Sequence, residues 1–311
     1  MSVHLLYDPA FLRHDTGAGH LETANRLQAV LAALAADENL NKMLRRVAPR
    51  PATIEDLQRC HSGEMIRETR SFIDHGGTHL DVDTPVSSES FDIACLAAGA
   101  ALTAVDAVMA KNGGSAFVLS RPPGHHATPY RAMGFCLFNN AAIAARYAQA
   151  VHGVERVLIV DWDVHHGNGT QEIFWGDDSV FFFSTHQSPH YPGTGDREEA
   201  GEGKGTGYTL NIPLRGGTAA ASQRQAFSDA LKAIDSRFHP DLVIISAGFD
   251  AHRDDPLGQL LLEDSDFAEM TKEVRQIAEK HASGRIVSLL EGGYNLDLLG
   301  GSVRSHLAAL L

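Results

Sequence analysis

The sequence has few cysteines, no excess of positive charge and no recognisable export signal. Its 311 residues include three scattered cysteines, Cys60, Cys95 and Cys136, with no CxxC pair. This pattern argues against a disulfide scaffold and favours a reducing compartment, so we expect a cytoplasmic protein. Lysine and arginine total 26 against 39 acidic residues, a net charge of -13. We therefore expect neither nucleic acid nor an anionic membrane as a partner.

The amino terminus lacks a basic region followed by a long apolar run, which is the pattern of a secretory signal. We also identify no stretch with the roughly 18 apolar residues of a membrane span. With 43% hydrophobic and 21% charged residues, a chain of this length can bury a sizeable core. The composition therefore predicts a soluble globular protein, and it leaves the oligomeric state open.

Short apolar runs alternate with longer segments of helical periodicity, which is typical of buried parallel strands joined by crossover helices. The candidate strands are 116–119, 156–160, 180–183, 208–212, 242–246 and 286–290. The candidate helices are 91–110, 140–150, 219–238 and 264–281. The glycine-rich segment 193–207 is predicted to be a surface or active-site loop. No linker or repeat is visible, so we expect one α/β domain over residues 1–311.

Polar residues capable of chemistry follow the predicted strands. The segments after successive strands are RPPGHHA, DWDVHHGNG, STH, AGFDAH and EGGYN. Ligands of open parallel sheets bind beyond the carboxyl ends of the strands, so these segments should converge on one site. Their chemically capable residues are His125, His126, Asp161, Asp163, His165, His166, Asp250 and Tyr294.

The residue types in these segments predict a metal ion. In an extended segment, Asp161, Asp163 and His165 lie on the same side. Carboxylates placed together repel unless a cation lies among them. Asp163, His165 and Asp250 would form a three-ligand site with open positions for water and substrate. Oxygen and nitrogen donors suit zinc, while iron, manganese and cobalt stay open. Histidine pairs and aspartates often only fill loops or cap turns, but caps do not explain the whole set.

Six segments resemble, in order, the motifs of the zinc-dependent histone deacetylase family: RPPGHHA, GFCLFNN, VDWDVHHGNGTQ, YPGTGD, SAGFDAHRDDPLG and LEGGYN. The similarity runs from GAGHLETANRL near residue 17 to about residue 295. It implies the arginase/deacetylase fold, an α/β domain with a central parallel sheet of about eight strands flanked by helices. The HHGNG form resembles class II members and bacterial histone deacetylase-like amidohydrolases.

The resemblance also implies roles for individual residues. It makes Asp163, His165 and Asp250 the ligands of one zinc ion, His126 the general base and acid, and Tyr294 the donor to the substrate carbonyl. It pairs His125 with Asp161, and His126 with Asn168, where some members have aspartate. An amide stabilises an imidazolium less than a carboxylate does, so His126 should be less basic than in those members.

The remaining implied features concern substrate access and ions. Gly134, Phe135 and Tyr191 match the walls of an acyl-lysine tunnel, Leu257 lies near its rim, and Asp83 matches the carboxylate that holds the substrate backbone. A potassium site is implied around His166, Ser184, Thr185 and the backbone at Asp161. Arg26 matches a residue that lines an internal acetate channel, although Leu21 stands where a proline is common.

We therefore expect a zinc-dependent amidohydrolase that removes acetyl groups from Nε-acetyl-lysine in a peptide or protein. The alternative is an acetylpolyamine amidohydrolase or a deacetylase of another small acylated amine. Acetylpolyamine amidohydrolases commonly carry a longer loop before the rim carboxylate, whereas only about 20 residues separate His61 from Asp83 here. The His125–His126 pair and the Tyr294 loop argue against a two-manganese ureohydrolase. The complete catalytic set argues against an inactive acyl-lysine binding module.

Overall fold

A parallel β-sheet forms the centre of the protein. The computed structural model describes residues 2–110 and 113–311. Its strands are β1 (Val3–Leu6), β2 (Leu44–Val47), β3 (His79–Asp81), β4 (Thr84–Pro85), β5 (Ser115–Val118), β6 (Val157–Asp161), β7 (Val180–Gln187), β8 (Thr209–Leu214), β9 (Leu242–Ala247) and β10 (Ile286–Leu290). Eight of them form one sheet in the order β2-β1-β5-β10-β9-β6-β7-β8, and β3 and β4 pair as a separate antiparallel hairpin. All neighbouring strands of the large sheet are parallel.

Helices connect these strands and cover the sheet. They are α1 (Ala24–Ala36), α2 (Glu38–Met43), α3 (Ile54–Gln58), α4 (Gly63–Asp74), α5 (Ser90–Met109), α6 (Asn140–His152), α7 (Asn168–Ile173), α8 (Ala220–Asp235), α9 (Asp264–His281) and α10 (Leu296–Leu310). Local capping fixes several ends: the Asn139 side chain accepts from Ala142 N at the start of α6, and Gly153 ends that helix with a positive φ of 67°. The predicted fold class, about eight parallel strands flanked by helices, is confirmed.

The central strands are buried along their whole length, because helices cover both faces of the sheet. Every residue of β5, β6, β9 and β10 is buried, which explains why these strands read as continuous apolar runs. The six predicted strands correspond to β5 through β10. β1 and β2 were not predicted, and β2 lies at the sheet edge with the exposed arginines Arg45 and Arg46. An edge strand of this composition has no apolar run to identify it.

Helix α5 corrects the expectation that no segment is long and apolar enough to cross a membrane. It has 20 residues and a mean hydropathy of 1.7, so it is long and apolar enough to cross a membrane by length and composition. In the fold, however, 72% of its most apolar window is buried inside the protein. It packs against α6 and β5, and a side chain at Gly99 would overlap the carbonyl oxygen of Arg50. α5 is therefore apolar because it is a core helix.

Each of three buried histidines should contribute a loss of stability in acid. Burial lowers the pKa of His61 to about 4 and the pKa values of His186 and His306 to about 3. Unfolded imidazoles have a pKa near 6.5, so the unfolded chain binds more protons at lower pH. We expect these three groups to lower the free energy of unfolding by several kcal/mol, as an order of magnitude, between about pH 6.5 and pH 4. Buried acids such as Glu291, whose pKa is raised to about 7, contribute with the opposite sign.

Denaturant unfolding in EDTA at several pH values tests this expectation. His306 contacts Thr271 Oγ1 at 2.6 Å and Ser288 Oγ at 2.9 Å. The His306→Gln variant lacks one titrating group and should show a shallower decline. A His306→Gln variant whose stability declines as steeply as that of the wild type between pH 6.5 and pH 4 would contradict the prediction.

Candidate active site

The loops beyond four neighbouring central strands meet at one edge of the sheet. β5 is followed by the loop of His125 and His126, β6 by Asp163 and His165, β9 by Asp250 and β10 by Tyr294. All six residues are buried. Parallel strands point their carboxyl ends the same way, which is why segments distant in sequence converge here.

Asp163, His165 and Asp250 form a compact cluster of potential metal ligands. One ligand atom from each lies within 4.8 Å of the other two. His165 Nδ1 is 3.0 Å from Asp163 Oδ1 and 3.3 Å from Asp250 Oδ2. Trp162, which precedes Asp163, is fully buried and packs against Phe227 instead. The strand ends at Asp161, so Asp163 and His165 come from the bend that follows it, and Asp250 joins them from the segment after β9.

The donor atoms of this cluster fit a divalent cation. Asp250 Oδ2 is buried and has no hydrogen bond of acceptable geometry, so it lacks the partner that a buried carboxylate oxygen normally has. Burial and the neighbouring charge of Asp163 raise the pKa of Asp250, as expected where a compensating cation belongs. A Cβ at Gly248 or Gly292 would overlap a carboxylate of the cluster. The two glycines thus keep the space around the ligands open.

Each histidine of the pair beside the cluster has its own partner. His125 Nδ1 lies 2.9 Å from Asp161 Oδ2, and His126 Nδ1 lies 2.8 Å from Asn168 Oδ1. The two imidazole rings are 4.0 Å apart between centroids. Both pairings agree with those implied by the family resemblance. In each ring the partner accepts from Nδ1, which leaves Nε2 for chemistry.

The surroundings shift the pKa values of His125 and His126 in opposite directions. Burial opposes protonation of His125, but the carboxylates of Asp161 and Asp163 outweigh it and hold its pKa well above the ordinary value. Burial and the neighbouring charge of His125 hold the pKa of His126 well below the ordinary value. A neutral His126 beside a charged His125 is the arrangement that a general base requires.

Tyr294 projects from a short glycine-rich loop beside the ligands. Gly292 N donates to Asp163 Oδ2 at 2.8 Å, and Gly293 has a φ of 119°, a conformation that favours glycine. Burial raises the pKa of the Tyr294 phenol well above its usual value, so the hydroxyl stays protonated and able to donate. The Arg26 guanidinium lies 4.8 Å from the centroid of the ring.

Aromatic side chains wall the approach to the cluster. The rings of Phe135 and Tyr191 lie 5.9 Å from Tyr294 and 5.1 Å from His126, respectively. Phe135 has a φ of 67°, and a Cβ at Gly134 would come within 2.7 Å of the His126 ring. Phe135 and Tyr191 thus lie beside the cluster, and their role as tunnel walls stays a prediction. The tight backbone geometry at Gly134 explains why a glycine precedes the phenylalanine.

Asp83 lies at the entrance and is joined to the same wall. Its Oδ1 accepts from Gly134 N at 3.1 Å and from Thr84 Oγ1 at 2.8 Å. Val82, at the tip of the β3–β4 hairpin, is 93% exposed. These bonds use Oδ1, and the Tyr191 hydroxyl is a further hydrogen-bonding neighbour of the carboxylate.

The structure shows which groups surround the side chains expected at a potassium site. Both ring nitrogens of His166 are engaged, by Thr194 Oγ1 at 2.8 Å and Gln171 Oε1 at 3.0 Å, so the ring itself has no free nitrogen for an ion. Ser184 Oγ contacts His186 Nδ1 at 2.9 Å, whereas the Thr185 hydroxyl is buried without a partner. The potassium site stays a prediction.

Arg26 is fully buried, and all three of its nitrogens bind protein acceptors. They donate to Gly293 O at 2.7 Å, to Glu22 Oε1 at 3.0 Å and to Glu291 O. Glu22 in turn pairs with the fully buried Arg121, and these two guanidinium groups lower the pKa of Glu22 to about 2 against its burial. Arg26 thus supports the Tyr294 loop, in addition to any part in a channel.

Sequence reasoning missed several acidic residues that support the site. Glu291 Oε2 accepts from Gly124 N at 2.7 Å and from His125 N at 3.2 Å, which joins the histidine loop to the tyrosine loop. Burial raises the pKa of Glu291 to about 7. Glu22 and Asp255 are buried in comparable roles. All three lie inside or beside the quoted motifs, and that was the only signal available for them.

Comparison with known proteins agrees with this site. A family model described as Histone deacetylase domain matches residues 20–310. The chain is 42% identical to a "Probable deacetylase" of Archaeoglobus fulgidus over 96% of this chain and 82% of that protein. It is 43% identical to a "Histone deacetylase-like amidohydrolase" of Pseudomonas aeruginosa over 89% and 73%. The crystal structure of the HDA15 HD domain superposes with a TM-score of 0.92 at 37% identity, covering 99% of this chain and 88% of that one. The chain therefore belongs to the histone deacetylase domain family and is a hydrolase of the deacetylase/amidohydrolase type.

Proposed function

We propose that this protein is a zinc-dependent amidohydrolase that removes the acetyl group from Nε-acetyl-lysine side chains. The observation that carries the proposal is the convergence of a buried Asp-His-Asp cluster, a neutral histidine and a protonated tyrosine behind aromatic walls. The aromatic rings of Phe135 and Tyr191 suit an extended aliphatic side chain, and the polar groups beside them suit an amide.

Zinc is the proposed metal because two carboxylates and one imidazole are a ligand set that leaves positions open for substrate and water. Asp163, His165 and Asp250 would hold it. When bound, the ion would supply Lewis acidity to the amide carbonyl and lower the pKa of a water molecule. Iron and cobalt accept similar donors, so metal reconstitution at equal occupancy compares the three directly.

Three further residues would carry the proton transfer and stabilise the charge that develops on the carbonyl oxygen. His126 Nε2, left free by the Nδ1 contact with Asn168, takes the proton from the attacking water and later delivers it to the leaving amine. The Tyr294 hydroxyl donates a hydrogen bond to the carbonyl oxygen as negative charge develops there. His125, paired with Asp161, keeps a positive charge close to that oxygen.

The rim favours acetyl-lysine within a peptide over a free acetylated polyamine. The stretch between His61 and Asp83 forms α4 and the β3–β4 hairpin, with no long insertion over the entrance. In this proposal Asp83, which also neighbours the Tyr191 hydroxyl, accepts a backbone N–H, a group that a peptide has beside its acetyl-lysine and that acetylputrescine lacks. This carboxylate is therefore the proposed source of preference for peptides.

Turnover of an acetyl-lysine peptide and of acetylputrescine, measured side by side with zinc-loaded enzyme, tests this substrate class. We expect the peptide to have the higher kcat/KM. Asp83→Asn keeps one oxygen for Gly134 N but replaces the other by a donor, and it should lower kcat/KM for the peptide by about 10-fold, since an unpaired hydrogen-bonding group at a site costs about 1–3 kcal/mol.

Acetylputrescine serves as the internal control, because its turnover should not change in Asp83→Asn. Higher kcat/KM for acetylputrescine in the wild-type enzyme would favour the acetylpolyamine alternative. Equal loss on both substrates would show that Asp83 acts by supporting the wall rather than by binding the peptide backbone.

A further inference from the structure

A buried aspartate outside the catalytic set joins two loops of the site. Asp255 Oδ2 accepts from Tyr294 N at 2.7 Å and from Asn295 N at 3.3 Å. Its Oδ1 accepts from Leu257 N at 2.9 Å. One carboxylate thus binds the backbone of the tyrosine loop and the backbone at the rim residue Leu257. Asp255 is only 7% exposed, so water does not readily replace these bonds.

The tyrosine loop is held mainly through its backbone, with one side-chain bond from Asn295 Nδ2 to Asp254 O at 2.8 Å. Gly292 and Gly293 have no side chains to pack. The carbonyls of Glu291 and Gly293 accept from Arg26, and Gly292 N donates to Asp163. These contacts hold the part of the loop that precedes the tyrosine. The N–H groups of Tyr294 and Asn295 are held by Asp255 alone among the described residues.

We propose that Asp255 is a positioning residue that sets the location of the Tyr294 hydroxyl over the ligand cluster. The inference rests on the proposed function, in which that hydroxyl donates to the substrate carbonyl. Asp255 reaches no reacting atom; it acts through the backbone of Tyr294. Because the same carboxylate binds Leu257 N, the catalytic tyrosine and the tunnel rim share one anchor.

A carboxylate suits the position of the Asp255 side chain, which accepts three backbone hydrogen bonds. The three N–H donors approach both oxygens, and a carboxylate is acceptor-only on both sides. An asparagine side chain would keep one acceptor oxygen, but its NH₂ group would face a backbone N–H where the second carboxylate oxygen now accepts. Asp255→Asn therefore changes little in size but breaks one side of the anchor. Asp254→Asn is the matched control, because Asp254 is the preceding residue and is exposed.

The test compares kcat and KM of zinc-loaded Asp255→Asn and Asp254→Asn on the acetyl-lysine peptide. A displaced catalytic group can cost about 10²-fold in rate, so we expect kcat of Asp255→Asn to fall by about 10–100-fold. KM and zinc content should stay close to wild type. The control should match wild type in all three quantities.

A double-mutant cycle asks whether the effect passes through the tyrosine. On a Tyr294→Phe background there is no hydroxyl to position, so Asp255→Asn should change kcat within about two-fold. A merely structural role would lower kcat equally in both backgrounds, and that result would overturn the inference. So would an Asp255→Asn variant indistinguishable from the Asp254→Asn control.

The outcomes separate this inference from the proposed function. Unchanged kcat in Tyr294→Phe alone would overturn the proposed role of the hydroxyl and this inference with it. Loss of activity in Tyr294→Phe without loss in Asp255→Asn overturns only the inference. If Asp255→Asn does not fold, hydrogen exchange of the wild-type protein still decides: the Tyr294 and Asn295 amides should be protected, and exchange at the rate of an exposed loop would overturn the anchoring.

Discussion

Asp250→Asn is expected to abolish deacetylation while leaving the fold intact. The change replaces one of the two carboxylate ligands of the cluster by a neutral amide, and Lewis-acid stabilisation of the transition state by a metal amounts to several kcal/mol. We expect kcat/KM to fall by at least about 10³-fold, since each 1.4 kcal/mol corresponds to a factor of about ten. Metal content after dialysis should fall in parallel.

The same substitution should not destabilise the metal-free protein. The amide oxygen of the new side chain could still accept from Val164 N, a bond that Asp250 makes at 2.8 Å. Removing the charge also relieves repulsion from Asp163, one of the causes that raise the pKa of Asp250. In EDTA, the denaturation midpoint should therefore equal or exceed that of the wild type. A lower midpoint, or full activity with less than stoichiometric metal, would contradict the assignment of Asp250 as a ligand.

Tyr294→Phe is expected to lower kcat by about 10²–10³-fold, the usual cost of removing one hydrogen-bond donor to a developing oxyanion. The phenylalanine keeps the ring that packs against Phe135 at 5.9 Å, and the backbone contact with Asp255 does not involve the hydroxyl. KM, metal content and thermal stability should therefore change little. Steady-state kinetics with a zinc-loaded variant provide the measurement.

Tyr208→Phe is the matched control for this experiment. Its ring packs on Phe181 and Phe238 next to the start of β8, at the opposite end of the strands from the cluster. The control should retain wild-type kcat. A Tyr294→Phe variant with wild-type kcat would mean that another group stabilises the oxyanion, and a raised KM alone would assign the hydroxyl to substrate binding.

The fold could be predicted from the sequence where burial is complete. β6, β9 and β10 are apolar throughout apart from single polar residues, and such runs identify buried strands directly. β2 could not be found this way, because two of its four residues are exposed arginines. β1 was not predicted although three of its four residues are apolar, as in β5. The helices α3 and α7 were missed because five or six residues are too few to show a helical period.

The catalytic residues were predictable because their chemical types are unusual at strand ends and because they lie in recognisable motifs. The residues that hold them were not. Glu22, Asp255 and Glu291 bind backbone groups or buried arginines from distant segments. A buried acidic residue has no periodicity or spacing that distinguishes it from an exposed one. Its role depends on partners that only the folded chain brings together.

The strand order has a consequence for the assembly of the protein during synthesis. β10 lies between β5 and β9, although it follows the other seven strands of the sheet along the chain and leaves the ribosome after them. Until it inserts, the group β2-β1-β5 and the group β9-β6-β7-β8 are separate half-sheets. Each then presents an unpaired apolar edge, which invites association with other chains. The final strand and the helix after it therefore close the sheet, and a nascent chain stalled before them is the species most in need of a chaperone.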